Sequence, residues 1–213
     1  MKHLIILGTG AFARELYWLA QESIGFGTEW DIKGYLDGAV PMDETEYKKL
    51  PLPVLGVYDS YEIKKDDVFT CGVGSPNIRK DFIEKIEKKN GVFINIIHKT
   101  ANIHGNVKLG KGIIICPFVF VQNYATIDDY VLLNNTSGVG HDVHIGKYSC
   151  LMAYVELCGF VEVGQEVYFG SGARVLPKGK IGNNVFVGAG SVVLKGVKTG
   201  KKVFGNPARV IDV

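Results

Sequence analysis

His141 and Asp142 are adjacent in Ser-Gly-Val-Gly-His-Asp-Val-His-Ile-Gly, residues 137–146. An imidazole next to a carboxylate is a general-base arrangement, because the carboxylate orients the ring and stabilises its protonated form. Such a base takes the proton from an amine or alcohol attacking an acyl carbonyl. That chemistry also needs a hydrogen-bond donor for the oxyanion. His144 follows shortly after and His104 lies upstream. Together they raise a metal-site reading, but His-x-x-His does not converge on a strand as it does on a helix, so no metal is expected. Cys150 is assigned an outward strand position, as a small residue at a subunit contact. A second candidate region is Gly8-Thr9-Gly10-Ala11-Phe12-Ala13. It matches G-x-G-x-x-A, in which bare backbone approaches a phosphate at a helix N-terminus. Asp37, ending the next apolar run, is placed to meet a ribose hydroxyl or a base.

What must position His141 is a repeat. Cut every six residues from Ala101, the chain places a large apolar side chain third in all sixteen units, from Ile103 to Val193. Such an unbroken phase excludes ordinary hairpins, which need turn signals about every 8–12 residues. First and third positions share one face of a short strand, and the remaining positions turn a corner. Gly recurs fourth, as at Gly110, Gly140, Gly146 and Gly164, where its backbone freedom suits a turn. Three strands close a triangular coil of about 18 residues. Strict hexads favour the left-handed parallel β-helix. About five coils fit between residues 101 and 196; after Gly196 the register is lost, and Val203–Asp212 reads as a cap. Gly159, one coil after His141, stacks beside it with a bare amide and free space.

Residues 1–98 follow another rhythm, an α/β domain preceding the β-helix domain of 99–213. The runs Lys2–Gly8, Asp31–Asp37 and Asp66–Gly74 are strands, with helical spacing at Leu16, Leu19 and Ala20. Ser75 is a helix N-cap with Pro76 in the first turn, and Asn90-Gly91 is the stop; Gly38–Leu50 reads as a loop. This Rossmann-like unit is too short for the second mononucleotide half of a NAD site, so a nucleotide-sugar fits better.

Composition is that of a globular protein, 46% hydrophobic and 22% charged, with a formal charge of +2. That charge implies neither nucleic acid nor a membrane as partner. Four cysteines in no CxxC pair indicate reduced thiols and a cytoplasmic location. Met1–Leu7 reads as a buried strand rather than a secretion signal.

The segments IILGTGAFARE, GYLDG, VGSPNIRK, INIIHKTANI, LLNNTSGVGHDVHIG and GNPAR, in that order, carry a resemblance. Across essentially its whole length the chain resembles the bacterial sialic acid O-acetyltransferase (NeuD-type) and nucleotide-4-amino-sugar N-acetyltransferase (PglD-type) family. The resemblance implies a homotrimer with active sites between subunits, acetyl-CoA as cosubstrate lying along the coils, and a nucleotide-sugar or sugar acceptor. His141 then matches the catalytic base and Asp142 its partner; Asn135 falls on the acceptor side. Gly159, Ser171 and Ala189 match the CoA channel, with Cys150 near the thioester. Gly8, Gly10, Asp37, Gly74 and Arg79 match the nucleotide pocket. Two departures stand out. Ala11-Phe12-Ala13 replaces a histidine-containing turn, and Cys150 replaces a histidine, leaving a backbone amide or His144 for the thioester oxygen. The rival readings are O-acetylation of sialic acid or another sugar, a metal-dependent lyase resembling γ-carbonic anhydrases, and a non-catalytic trimeric scaffold.

Overall fold

The computed structural model describes residues 1–38 and 44–211 and divides the chain into two compact units, Met1–Lys99 and Thr100–Val213.

The first unit is built on a five-stranded parallel sheet. Its strands are β1 (Lys2–Leu7), β2 (Trp30–Asp37), β3 (Val54–Val57), β4 (Asp67–Cys71) and β5 (Val92–Phe93), in the order β3-β2-β1-β4-β5. Helix α1 (Ala11–Gln21) links β1 to β2 and turns Ala13, Leu16, Leu19 and Ala20 inward. A single helical turn, α2 (Glu44–Tyr47), falls within the segment read as loop; residues 39–43 of that segment lie outside the described residues. Helix α3 (Pro76–Glu87) links β4 to β5. Ser75 has N-cap backbone geometry, but its side chain makes no capping bond, so Pro76 alone sets the start. Strand β3 has no counterpart in the sequence reading. Asp67, buried at the start of β4, accepts bonds from Lys33 Nζ (2.6 Å), Tyr61 Oη (2.9 Å) and the Lys64 amide (2.8 Å). Lys33 is on β2, so the ion pair clamps the two strands that flank β1.

The second unit is a parallel β-solenoid. Strands of two residues, three in Lys202–Phe204, form three ladders, beginning at residues 102, 120, 138, 156, 174 and 192; at 108, 126, 144, 162, 180 and 196; and at 114, 132, 150, 168, 186 and 202. The first ladder forms the face next to His141. Each rung follows the last by three hexads, until the final step, Lys180 to Gly196 and Phe186 to Lys202, comes up short. There Leu194 and Lys195 alone span a corner that takes four residues elsewhere. The coil therefore continues past Gly196, and Val203 is still a rung rather than cap. The chain then folds back as an antiparallel strand, Arg209–Val210 against Val203–Phe204. Asp212 lies outside the described residues.

The third hexad position points inward throughout. Val121, Val139, Leu157 and Val175 fill one side, Ile127, Ile145 and Val163 the second, and Ile115, Leu133, Leu151 and Phe169 the third, all buried. Outward aromatics stack rung on rung, as in Tyr168 on Phe186 at 5.1 Å between ring centres, close to the strand spacing.

The corners correct the glycine argument. The fourth-position glycines do not have positive φ; that belongs to the sixth position, as at Tyr124, Tyr130, Asp142, Tyr148, Tyr154 and Phe160, with φ between 58° and 64°. A left-handed bulky residue costs roughly 1–2 kcal/mol. Each such amide from Tyr130 to Gly190 donates to a fifth-position carbonyl of the preceding coil, as Tyr154 to Asn135 and Lys178 to Gly159, both at 3.0 Å. The fourth-position glycines serve close stacking instead. A Cβ on Gly140 would sit 2.8 Å from the Gly159 nitrogen, and one on Gly170 2.5 Å from the Ala189 nitrogen.

Cys150 also differs from expectation. Its rung position points away from the core, yet it is fully buried, as are Ile114 and Leu132 above it. That face is closed over, and the apolar second positions of these hexads are its trace in the sequence.

Burial pushes the Asp67 carboxyl up, but the bonds from Lys33, Lys64 and Tyr61 outweigh it and hold its pKa below the ordinary value. A lowered folded-state pKa adds stability above the unfolded value of about 3.9, lost as pH falls through the folded value. Asp67→Asn is expected to cost about 2 kcal/mol at pH 7. Urea unfolding at pH 7 and at pH 3 checks this: the difference from wild type should shrink at the lower pH.

Candidate active site

His141 occupies the fifth hexad position, on the corner that follows the strand Gly138–Val139. Its main chain is held on both sides by neighbouring coils. The His141 amide donates to Gln122 Oε1 (3.1 Å), and its carbonyl accepts from the Phe160 amide (3.0 Å). The side chain is half exposed. Its Nδ1 lies 2.9 Å from Asp142 Oδ2, and its ring meets Phe160 edge-on at 5.0 Å. An ionised carboxylate only accepts, so Nδ1 carries the proton and Nε2 is the free base. Asp142 is the left-handed residue of this corner, with φ at 58°.

Nε2 points over Gly159. A Cβ built there would lie 2.5 Å from Nε2 and 2.6 Å from Cε1, so any side chain at this position collides with the imidazole. The Gly159 N–H has no acceptor among the described residues, while its carbonyl is taken by Lys178. The fifth-position amides of Lys111, Asn135 and Gln165 each donate to a side-chain oxygen, whereas those of Ala153, Ser171 and Ala189 resemble Gly159 in having no acceptor among the described residues. Nε2 thus lies against a glycine whose amide takes no acceptor among the described residues, which suits proton removal beside a developing oxyanion.

The remaining candidates fall elsewhere. Asn135, Ser171 and Ala189 are exposed fifth-position residues on the preceding corner, one above another with Ala153 between the first two. That corner and the His141 corner bound the same face, one hexad and so at most roughly 20 Å apart. One chain therefore brings together His141, Asp142 and Gly159, and separately Asn135, Ser171 and Ala189. Cys150 lies buried on another face.

The three histidines of the repeat have three different partners: Asn123 for His104 (2.9 Å), Asp142 for His141 and Asp128 for His144 (3.1 Å). Among the described residues no three His, Cys, Asp or Glu converge as a metal site. Two contributors escape a reading of the sequence, Gln122 and Phe160. Each lies one coil and one further residue from His141, on either side of it, and that corner spacing identifies them.

In the first unit, the glycine-rich turn and the loop after β4 meet where the strand order reverses. Gly8, at φ 94°, packs on Val73, and the Gly72 amide donates to the Leu7 carbonyl (2.8 Å). Gly10 is the N-cap of α1 and has open space where a Cβ would be. Gly74 is half-buried in the second loop. Asp37 is buried; it accepts from Thr9 Oγ1 (3.0 Å), the Gly38 amide (2.8 Å) and the Tyr47 hydroxyl. Its carboxylate therefore holds the turn in place. Arg79 is fully buried, and its Nη1 donates to the carbonyls of Cys71 (2.5 Å) and Val73 (3.3 Å), bracing the second loop from beneath.

No family model matches the chain. GDP-perosamine N-acetyltransferase of Escherichia coli O157:H7 is 33% identical over 105 residues, 49% of this chain and 48% of that protein. The matched stretch thus spans about half the length of that curated relative. The solved acetyltransferase domain of PglB from Neisseria gonorrhoeae, in complex with acetyl coenzyme A, superposes with a TM-score of 0.85 at 25% identity, covering 99% of each chain. PerB from Caulobacter crescentus, in complex with CoA and GDP-perosamine, shares the fold with a TM-score of 0.87 at 24% identity, covering 100% of this chain and 98% of that one. With the unbroken hexads, these likenesses show that the chain shares the fold of the solved sugar acetyltransferases, a parallel β-solenoid preceded by a smaller unit.

Proposed function

We propose that this chain transfers an acetyl group from acetyl-CoA to the amino group of a nucleotide-linked amino sugar, in surface-glycan biosynthesis. The observation that carries it is the imidazole over Gly159: Nδ1 held by Asp142, Nε2 free, and an open amide beside it. The sugar amine attacks the thioester carbonyl and passes its proton to Nε2. The oxyanion accepts a hydrogen bond from the Gly159 N–H, and as the tetrahedral centre collapses the C–S bond breaks and the CoA thiolate takes the proton back from Nε2. Asp142 fixes the tautomer and stabilises the imidazolium.

The acceptor's nucleotide is assigned to the first unit, read as a Rossmann-like domain with its phosphates against Gly8, Gly10 and Gly74. The bonds already made by Asp37 and Arg79 give them the role of shaping that pocket. The β-helix is taken as left-handed. A homotrimer explains why Asn135, Ser171 and Ala189 lie on a different edge from His141: neighbouring protomers would bring the two edges together, with CoA running between them. Nucleotide-sugar chemistry and free thiols fit a cytoplasmic enzyme. The relatives named for N-acetyl and N-acyl transfer favour an amine over a hydroxyl acceptor. The lyase reading finds no support in three histidines bound to three separate partners.

His141→Ala is expected to lower turnover about 10²–10⁴-fold, read as CoA thiol release with a panel of nucleotide-linked amino sugars. Unchanged turnover would remove the mechanism. Gly159→Ala should cost at least about 10²-fold by displacing the imidazole. Its Tm should stay close to wild type, and a structure of the variant should show the ring turned away from residue 159.

A further inference from the structure

Charge along this chain is divided in a way that the total of +2 conceals. Between Val167 and Ile211 there are eight Lys and Arg and no Asp or Glu, so the rest of the chain carries −6. These residues are the lower coils of the solenoid and its end ribbon. Cations and apolar side chains converge at the tip. Leu194, Lys195, Lys198, Lys201, Arg209 and Val210 surround one cavity of about 490 Å³, floored by the inward residues Val193 and Val203.

The large apolar groups beside these cations are not packed away. Leu194 is 49% exposed, Phe204 53% and Val210 55%. The pairing of Phe204 with Arg209 and of Val203 with Val210 holds them on one short ribbon, and the Ile211 amide donates to the Lys202 carbonyl (2.9 Å). The coils and ribbon that carry these cations contribute no carboxylate side chain of their own; the nearest acidic residue in the sequence is Asp212, just after the ribbon.

Exposed aromatic and aliphatic groups set in a field of one sign form a surface complementary to anionic headgroups above an apolar layer. A dissolved nucleotide would use the cations but would give no role to Val210 and Leu194 at the tip, whereas the Phe204 ring lies over Gly188 one coil away. We propose that this end of the solenoid is a docking surface for a bilayer containing anionic phospholipids. The apolar tip enters the interface, and Lys195, Lys198, Lys201 and Arg209 meet the headgroups. Attachment of this kind is peripheral and reversible, since the apolar contribution is only a few side chains.

Co-sedimentation of the full chain with vesicles tests it, using phosphatidylcholine alone against a mixture of phosphatidylcholine and phosphatidylglycerol. The expected result is binding to the anionic vesicles only, falling at least about tenfold between low and high salt, roughly 0.1 and 0.5 M NaCl. The double variant Lys198→Glu, Lys201→Glu should reduce binding at least about tenfold. An unchanged melting curve will show that this variant is folded, and Val210→Ser with Leu194→Ser supplies an uncharged second test, expected to weaken binding several-fold. No binding to the anionic vesicles, equal binding to both kinds, or binding abolished by millimolar CoA would overturn the proposal. The last result would assign the cations to the cosubstrate's phosphates.

Discussion

The structure depends on one constraint: every residue of the solenoid must lie over its counterpart on the preceding coil, at the spacing of one strand. Neither a two-residue strand nor a four-residue corner has stability of its own. What holds them is the neighbouring coil, through ladder hydrogen bonds, inward apolar contacts and, from Tyr130 to Gly190, the corner bond from the sixth-position amide to the fifth-position carbonyl of the coil before. That bond offsets the cost of left-handed backbone at Tyr130, Asp142 and Phe160. It also explains why aromatic side chains are tolerated where glycine would be expected. Glycine is kept instead for the fourth position, where a Cβ would meet the next coil's backbone.

The candidate site is a product of the same stacking. His141 does not meet Gly159 through any local turn; one period of chain places them together. The second coil supplies the open amide and the ring contact from Phe160, while the coil above supplies Gln122. A base held by its neighbours on both sides, with its proton fixed on Nδ1 by Asp142, needs little reorganisation to accept a proton. Preorganisation of this sort is what a transfer between two bound substrates requires.

Much of this is legible in the sequence because the repeat turns position into geometry. The third-position residues, the adjacency of His141 and Asp142, and the superposition of Gly159 all follow from counting in sixes. Other features do not obey that arithmetic. The glycine columns suggest backbone freedom, because sequence shows residue type but not the approach of the next coil. Cys150 takes an outward place by alternation; the apolar Ile114 and Leu132 on the same ladder carry the opposite signal. The last turn closes early, at Leu194 and Lys195, which breaks the count without ending the coil. In the first unit, where no repeat assists, the roles of Asp37 and Arg79 stay hidden, because the bond from Thr9 crosses 28 residues of chain and the Arg79 side chain turns back to the Cys71 carbonyl at the end of the preceding strand.

The period itself can be tested directly by excision. Removing Glu162–Gly179, one complete coil of three hexads, joins Val161 to Lys180 and keeps every later residue on its ladder. Removing Glu162–Gly170, one and a half hexads, joins Val161 to Ser171 and throws the inward side chains out of phase. Thermal melting followed by circular dichroism should show a cooperative, strand-rich transition for the first variant and none for the solenoid of the second. If the two variants melted alike, the stacking period would not be what organises this protein.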